Sequence, residues 1–360
     1  MKTTKRRWLG LLLAAAMTLA LAAGCSGGES EEGGQTDGEA VYKWKIQCGY
    51  PPGDQCYDIQ MPMICEAITE ATDGQIQFEY YQPGAICEPE QVPSSLSKGL
   101  LDAAISAPSE TVQMVPAAYA EQGVPFYWEN GQDVYDNFYD YGLLDFCRQT
   151  YDEAGIYYGM YVPNGAYMLM TNFQVNSADD ITHKKIRAST SYATMVELMG
   201  GAPVAMNGGD IYMGMKLGTI DGYIYTVAEL EMSSLKEVTS NVMEPAACGS
   251  APVNLIFSKK SWDSLTPELQ DIVNQTMQDI FMDVYNESIT FDQDSMEAAK
   301  DYGVVFTTVD AAGMEPFYEA GRQVMEELSA QYPDSEPGFE LIQQWKDAKD
   351  AGETTAAQME

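Results

Sequence analysis

The stretch KIRASTSYATMVELMGGAPVAMNGGDIYMGMKLGTIDGYIY, residues 185–225, decides the architecture. Lys185-Ile-Arg-Ala188 reads as a short strand and residues 191–199 as a helix. Pro203-Val-Ala-Met206 reads as a second strand, residues 209–217 as a second helix, and Asp221-Gly-Tyr-Ile-Tyr225 closes the series. Strand, helix, strand, helix, strand is the mark of a parallel sheet covered by helices.

Working outward, the same alternation fills the region before it. Tyr42, Trp44 and Ile46 alternate with Lys43, Lys45 and Gln47, which predicts a strand with one buried face. Ile59, Met63, Ala67, Ile68 and Ala71 recur at helical spacing and stop at Asp73-Gly74. Ile76, Phe78 and Tyr80 predict another strand, a further helix ends near Gly99, and Leu101-Asp-Ala-Ala-Ile105 reads as a short buried strand. GIYYGMYV at 155–162 is a strand as well. Downstream, Thr266 opens a long helix with Pro267 in its first turn and an apolar stripe from Leu269 through Met277 to Val284. One more helix covers about residues 314–330, and the tail after Lys346 reads as frayed. Two αβ lobes joined by crossing strands leave a cleft, and such folds place ligands at the carboxyl ends of their strands.

The amino terminus and the charge bound the setting. Lys2, Lys5, Arg6 and Arg7 precede an apolar run at 8–23, a secretion signal rather than a spanning helix. Leu21-Ala22-Ala23-Gly24-Cys25 resembles the lipobox of bacterial lipoproteins, which implies cleavage after residue 24 and a lipid on Cys25. Residues 25–41 then form a small, polar, acidic stalk. Without the four leader cations, 15 Lys and Arg face 54 Asp and Glu. That balance excludes nucleic acid as a partner, and any anion site must be built from a few well-placed donors. The six cysteines of the body match no zinc spacing; disulfides and buried free thiols both stay open.

An ordered set of motifs carries a resemblance. Lys185-Ile-Arg187, residues 191–204, Gly209-Asp-Ile-Tyr212 and Gly218-Thr-Ile-Asp-Gly222 form its centre. Gly123-Val-Pro-Phe126, Phe257-Ser-Lys-Lys-Ser-Trp262 and Leu265-Thr-Pro-Glu-Leu-Gln270 flank it. Together, over about residues 42–345, they resemble the solute-binding subunits of TRAP transporters, the DctP-like family. The resemblance implies an α/β, two-lobed, periplasmic-binding-protein-like fold that closes on a small organic acid and docks on a membrane permease. Lobe I is expected at 42–164 plus about 253–292, lobe II at 165–252 plus about 293–345, and a frayed tail at 346–360. The protein is expected to be a monomer at the outer face of the cell membrane.

Arg187 matches the family's carboxylate-clamping arginine, and a planar guanidinium supplies two parallel donors to one carboxylate. Many relatives carry a second arginine or a glutamine on the preceding strand; here that position falls near Ala166-Tyr167, so a phenol replaces a charged donor and a monocarboxylate is expected. Gly208 lies where some relatives have an aromatic wall, which enlarges the pocket or lets backbone approach the ligand. Tyr167, Tyr223 and Tyr225 are expected to line it, admitting a bulky or aromatic acid. Ser189 and Asp210 join them, with Tyr50 and Ser106 facing from the other lobe. The 2-oxo-acid branch of the family holds a cation partly through a glutamate shortly after the Ile-Asp pair. This chain has no carboxylate at Tyr223, Ile224 or Tyr225, so no metal or other cofactor is expected. His183 reads as a solvated loop residue, and no Gly-x-Ser-x-Gly elbow accompanies it. An exported hydrolase and a ligand sensor for a membrane receptor are the alternatives.

Overall fold

The computed structural model describes residues 41–354. The expected leader, Cys25 and all but the last residue of the expected stalk lie outside the described residues, as do residues 355–360.

Three parallel strands open the first sheet: β1 (Tyr42–Cys48), β2 (Ile76–Tyr81) and β3 (Ala103–Ser106). β1 follows the expected alternation at its start, with Trp44 and Ile46 buried and Lys43 and Lys45 exposed. From Ile46 onward Gln47 and Cys48 are buried too, since β3 joins β1 there on the side opposite β2. β4 (Ile156–Tyr161) completes the first half of the chain. The chain then builds a second sheet from β5 (Tyr167–Thr171), β6 (Lys185–Arg187), β7 (Ala202–Val204), β8 (Gly222–Thr226) and β9 (Asn241–Glu244). It returns to the first sheet as β10 (Asn254–Ser258) and ends in the second as β11 (Val305–Thr308). The sheet orders are β2-β1-β3-β10-β4 and β11-β9-β5-β8-β6-β7. In the second, β6 is parallel to β7 and β8, while β5 runs antiparallel to β8 and β9.

The two segments that pass between the sheets run side by side. Val162 N donates to Val253 O at 2.9 Å, Ala251 N to Gly165 O at 2.9 Å and Tyr167 N to Cys248 O at 2.8 Å. A third connection, the helix Phe281–Tyr302, packs against them: Asp292 accepts from Ala166 N at 2.6 Å. Gly165 is required here, because a Cβ would fall 2.3 Å from Asp292 Oδ1.

Several expectations change. The long helix after Thr266 is two helices, Pro267–Asp279 and Phe281–Tyr302, separated at Ile280. The expected frayed tail at 346–360 is corrected at its start: the helix Glu336–Asp350 covers residues 346–350. Its Trp345 is fully buried, and Lys349 Nζ reaches the buried Asp133 at 2.9 Å. This helix packs on the helix Leu143–Asp152, with Gly338 against Phe146, so the carboxyl end closes on the first lobe's side of the chain. The six cysteines among the described residues are unpaired.

Candidate functional site

β6 ends at Arg187, and its side chain turns into a cavity of about 850 Å³ lined by both halves of the chain. Tyr50, Asp54 and Glu110 contribute from the first half, and Tyr167, Arg187 and Tyr225 from the second. Three neutral acceptors hold the guanidinium. Nε donates to Met206 O at 3.0 Å, and Nη1 donates to Ile224 O at 3.1 Å and to Tyr167 Oη at 3.3 Å. The Tyr225 ring lies with its centroid 5.1 Å away, within cation–π range. Among the described residues no carboxylate forms an ion pair with Arg187, and Nη2 has no hydrogen-bond partner. The site therefore fixes a positive charge and leaves it uncompensated. Such a group gains most from a bidentate carboxylate.

The structure brings most of the expected residues together. Arg187, Tyr167, Tyr225, Ser189, Gly208 and Tyr50 all line the cavity. Gly208 acts differently from either expectation. A Cβ there would lie 2.4 Å from Tyr225 Oη, so the missing side chain makes room for the phenol of Tyr225. Burial pushes the Tyr225 hydroxyl well above its ordinary pKa, so it stays a neutral donor.

Three expected residues lie elsewhere. Tyr223 is fully buried in the second lobe's core beside Met170 and Met215, with its Oη 2.6 Å from Thr239 Oγ1. It shares a strand face with Tyr225 but sits one layer deeper, away from the carboxyl end of β8. Asp210 lines a separate surface depression with Met206 and Leu217. Ser106 is fully buried and donates to Glu110 Oε2 at 2.8 Å, which leaves Glu110 facing the cavity.

The bacterial extracellular solute-binding proteins of family 7, the DctP family, match residues 51–331. The chain belongs to this family. The ectoine-binding periplasmic protein of Halomonas elongata is 23% identical over 286 residues, 78% of this chain and 82% of that protein. A TRAP solute-binding protein of Pseudoalteromonas atlantica, solved with sodium and pyruvate, is 18% identical at a TM-score of 0.77, covering 89% of this chain and 98% of that one. One from Bordetella bronchiseptica, with copurified calcium and picolinate, is 17% identical with the same TM-score of 0.77, covering 87% of this chain and 94% of that one. The DctP-like resemblance and the two-lobed α/β fold are thus borne out.

For this family 7 protein, sequence reasoning missed Asp54, Glu110 and Glu229. Asp54 and Glu110 line the cavity, and Glu229 stands just behind it, with its carboxyl within hydrogen-bonding reach of Asp54. Burial raises all three pKa values, Glu110 to about 7 and Glu229 to about 8, with the Asp54 charge adding to the shift of Glu229. Asp54 and Glu229 both follow carboxyl ends of strands, β1 and β8. That position was the available signal, hidden in a chain with 54 acidic residues. Among the described residues no three His, Cys, Asp or Glu side chains converge as metal ligands.

Proposed function

We propose that the protein captures a small organic carboxylate outside the cytoplasm and delivers it to a TRAP-type membrane permease, with no bond made or broken. The observation that carries this reading is Arg187. It is held by two carbonyls and a phenol, faces the cavity, and has no carboxylate partner among the described residues of a chain whose formal charge is −35. Arg187 takes the carboxylate, Tyr167 and Tyr225 flank it, and lobe closure excludes water. With one cation at the cavity, a monocarboxylate fits better than a diacid, and the volume leaves room for a bulky or aromatic one. The strand order supports a lobe I of 42–164 plus about 253–292 and a lobe II of 165–252 plus about 293–345, where β11 falls. The basic and apolar leader and the lipobox-like Leu21-Ala22-Ala23-Gly24-Cys25 support a lipoprotein tethered through Cys25 to the outer face of the membrane.

The test is to purify the protein, identify the copurified ligand by mass spectrometry and compare wild type with Arg187→Ala by calorimetry. Removing the charged partner is expected to cost roughly 2–5 kcal/mol of binding. Unchanged affinity in the variant would sink the assignment. Binding is expected to need no metal, so chelation should leave the affinity intact.

A further inference from the structure

Asp54 follows β1 of the first sheet and Glu229 follows β8 of the second, and their carboxyl groups lie within hydrogen-bonding reach of one another. Asp54 is 7% exposed and lines the cavity; Glu229 is 2% exposed and backs it. Asp54 Oδ1 accepts from Cys56 N at 2.7 Å, and Glu229 Oε2 accepts from Ser233 Oγ. Glu229 Oε1 is buried with no N–H or O–H directed at it among the described residues, and no base pairs with either acid. Two buried carboxyl groups in contact, without a cation, form an incomplete arrangement.

We propose that Asp54, backed by Glu229, is a cation-recognition subsite of the cleft, so that the ligand is a zwitterion whose ammonium meets Asp54 while its carboxylate meets Arg187. This deepens the carboxylate reading and rests on it. The charge inventory of the cavity agrees: Arg187 is the one base among its described lining residues, against Asp54, Glu88, Glu90 and Glu110. A plain carboxylate would neutralise Arg187 and leave the buried acid unanswered. Arg187 and Asp54 both line the one cavity of about 850 Å³. A ligand that carries both charges, such as an amino acid or a cyclic analogue, answers both groups. Burial raises Glu229 to about 8, with the Asp54 charge adding to the shift, so Glu229 keeps its proton near neutral pH and Asp54 is the member that faces the cavity.

The experiment uses protein stripped of copurified ligand by unfolding and refolding. It is screened by thermal shift and calorimetry against the twenty amino acids, each paired with its des-amino acid, such as L-phenylalanine with 3-phenylpropionate and L-proline with cyclopentanecarboxylate. At least one amino acid is expected to bind more than tenfold tighter than its des-amino partner. Within the Asp54→Asn variant the amino acid should bind no tighter than its des-amino partner, and Glu229→Gln gives the same ratio should Asp54→Asn not fold. The proposal is overturned if no amino acid binds, if every pair binds equally, or if the preference survives both substitutions. It is also overturned if calcium or sodium chloride alone stabilises wild type through Asp54. Arg187→Ala separates the two readings. Loss of both members of a pair upholds the carboxylate clamp whatever Asp54 does, and retention of both removes the clamp alone.

Discussion

Arg187 on β6 reaches across the intervening β8 to donate to Tyr167 Oη on β5 at 3.3 Å. The guanidinium is thereby fixed from two strands, and Ile224 O on the strand between adds a third point. Orientation is set before any ligand arrives, which reduces the ordering cost of binding. Tyr167→Phe should keep the fold and the positive charge while loosening the guanidinium. The expected loss is about 0.5–1.5 kcal/mol of ligand affinity, read by calorimetry with thermal stability nearly unchanged. A loss as large as that of Arg187→Ala would mean that Tyr167 contacts the ligand itself.

Gly208 and Gly209 are adjacent, yet their surroundings differ. A Cβ on Gly208 would lie 2.4 Å from Tyr225 Oη, whereas one on Gly209 meets nothing within 4 Å. Gly208→Ala should push the phenol of Tyr225 toward the cavity and weaken binding at least tenfold, with little change in melting temperature. Gly209→Ala is the matched control and should bind as wild type does. Equal affinities for the two variants would show that the position of Tyr225 is immaterial to the ligand.

Buried acids set a pH dependence of stability. Glu121 is fully buried, accepts from Asn254 Nδ2 at 2.7 Å and from Tyr151 Oη, and has its pKa pushed up to about 7 by burial. Asp292, accepting from Ala166 N, is raised to about 7 for the same reason. A pKa raised on folding means that the native state holds more protons than the unfolded one between pH about 4 and 7. The stability these two groups contribute is therefore full below pH about 4 and is lost as pH rises through 7, by up to about 1.4 kcal/mol per pH unit for each group. Calorimetric scans from pH 4.5 to 8 should show the melting temperature falling, with a shallower slope in Glu121→Gln. A melting temperature that climbs across this range would contradict the protonation of these acids in the native state.

What the sequence made legible follows from the range of the interactions. Alternation and helical spacing are local, so β1, β2, β6 and β8 were readable, and the motif around Arg187 placed the clamp at a strand end. Tyr223 and Tyr225 look equivalent in sequence because both share one strand face; only the layer along β8 separates a core tyrosine from a cavity tyrosine. Asp54 and Glu229 are 175 positions apart and meet only after the lobes form. Their charge gave no signal among so many acids.

The carboxyl-terminal helix is the sharpest case, because its polar sequence hides a buried ion pair. Lys349 Nζ is 2.9 Å from Asp133 Oδ2 and 3.3 Å from Glu129 Oε1, and Asp133 is fully buried. Asp133 also accepts from Glu129 N at 2.7 Å, so it fastens both the helix and its own turn. Its pKa is nonetheless raised, as burial outweighs the hydrogen bonds from Lys349 and Glu129. Lys349→Ala leaves Asp133 without its cation and should cost about 3–5 kcal/mol, which chemical denaturation would measure. The double variant Asp133→Asn with Lys349→Ala removes the stranded charge and should recover a large part of that loss. The alternative is a frayed end, in which Lys349→Ala would cost less than 0.5 kcal/mol, the usual range for exposed sites. Because this helix packs on the first lobe, its release should lower stability without altering the affinity of the Arg187 site. A parallel loss of binding would instead mean that the carboxyl-terminal helix helps to set the relation between the lobes.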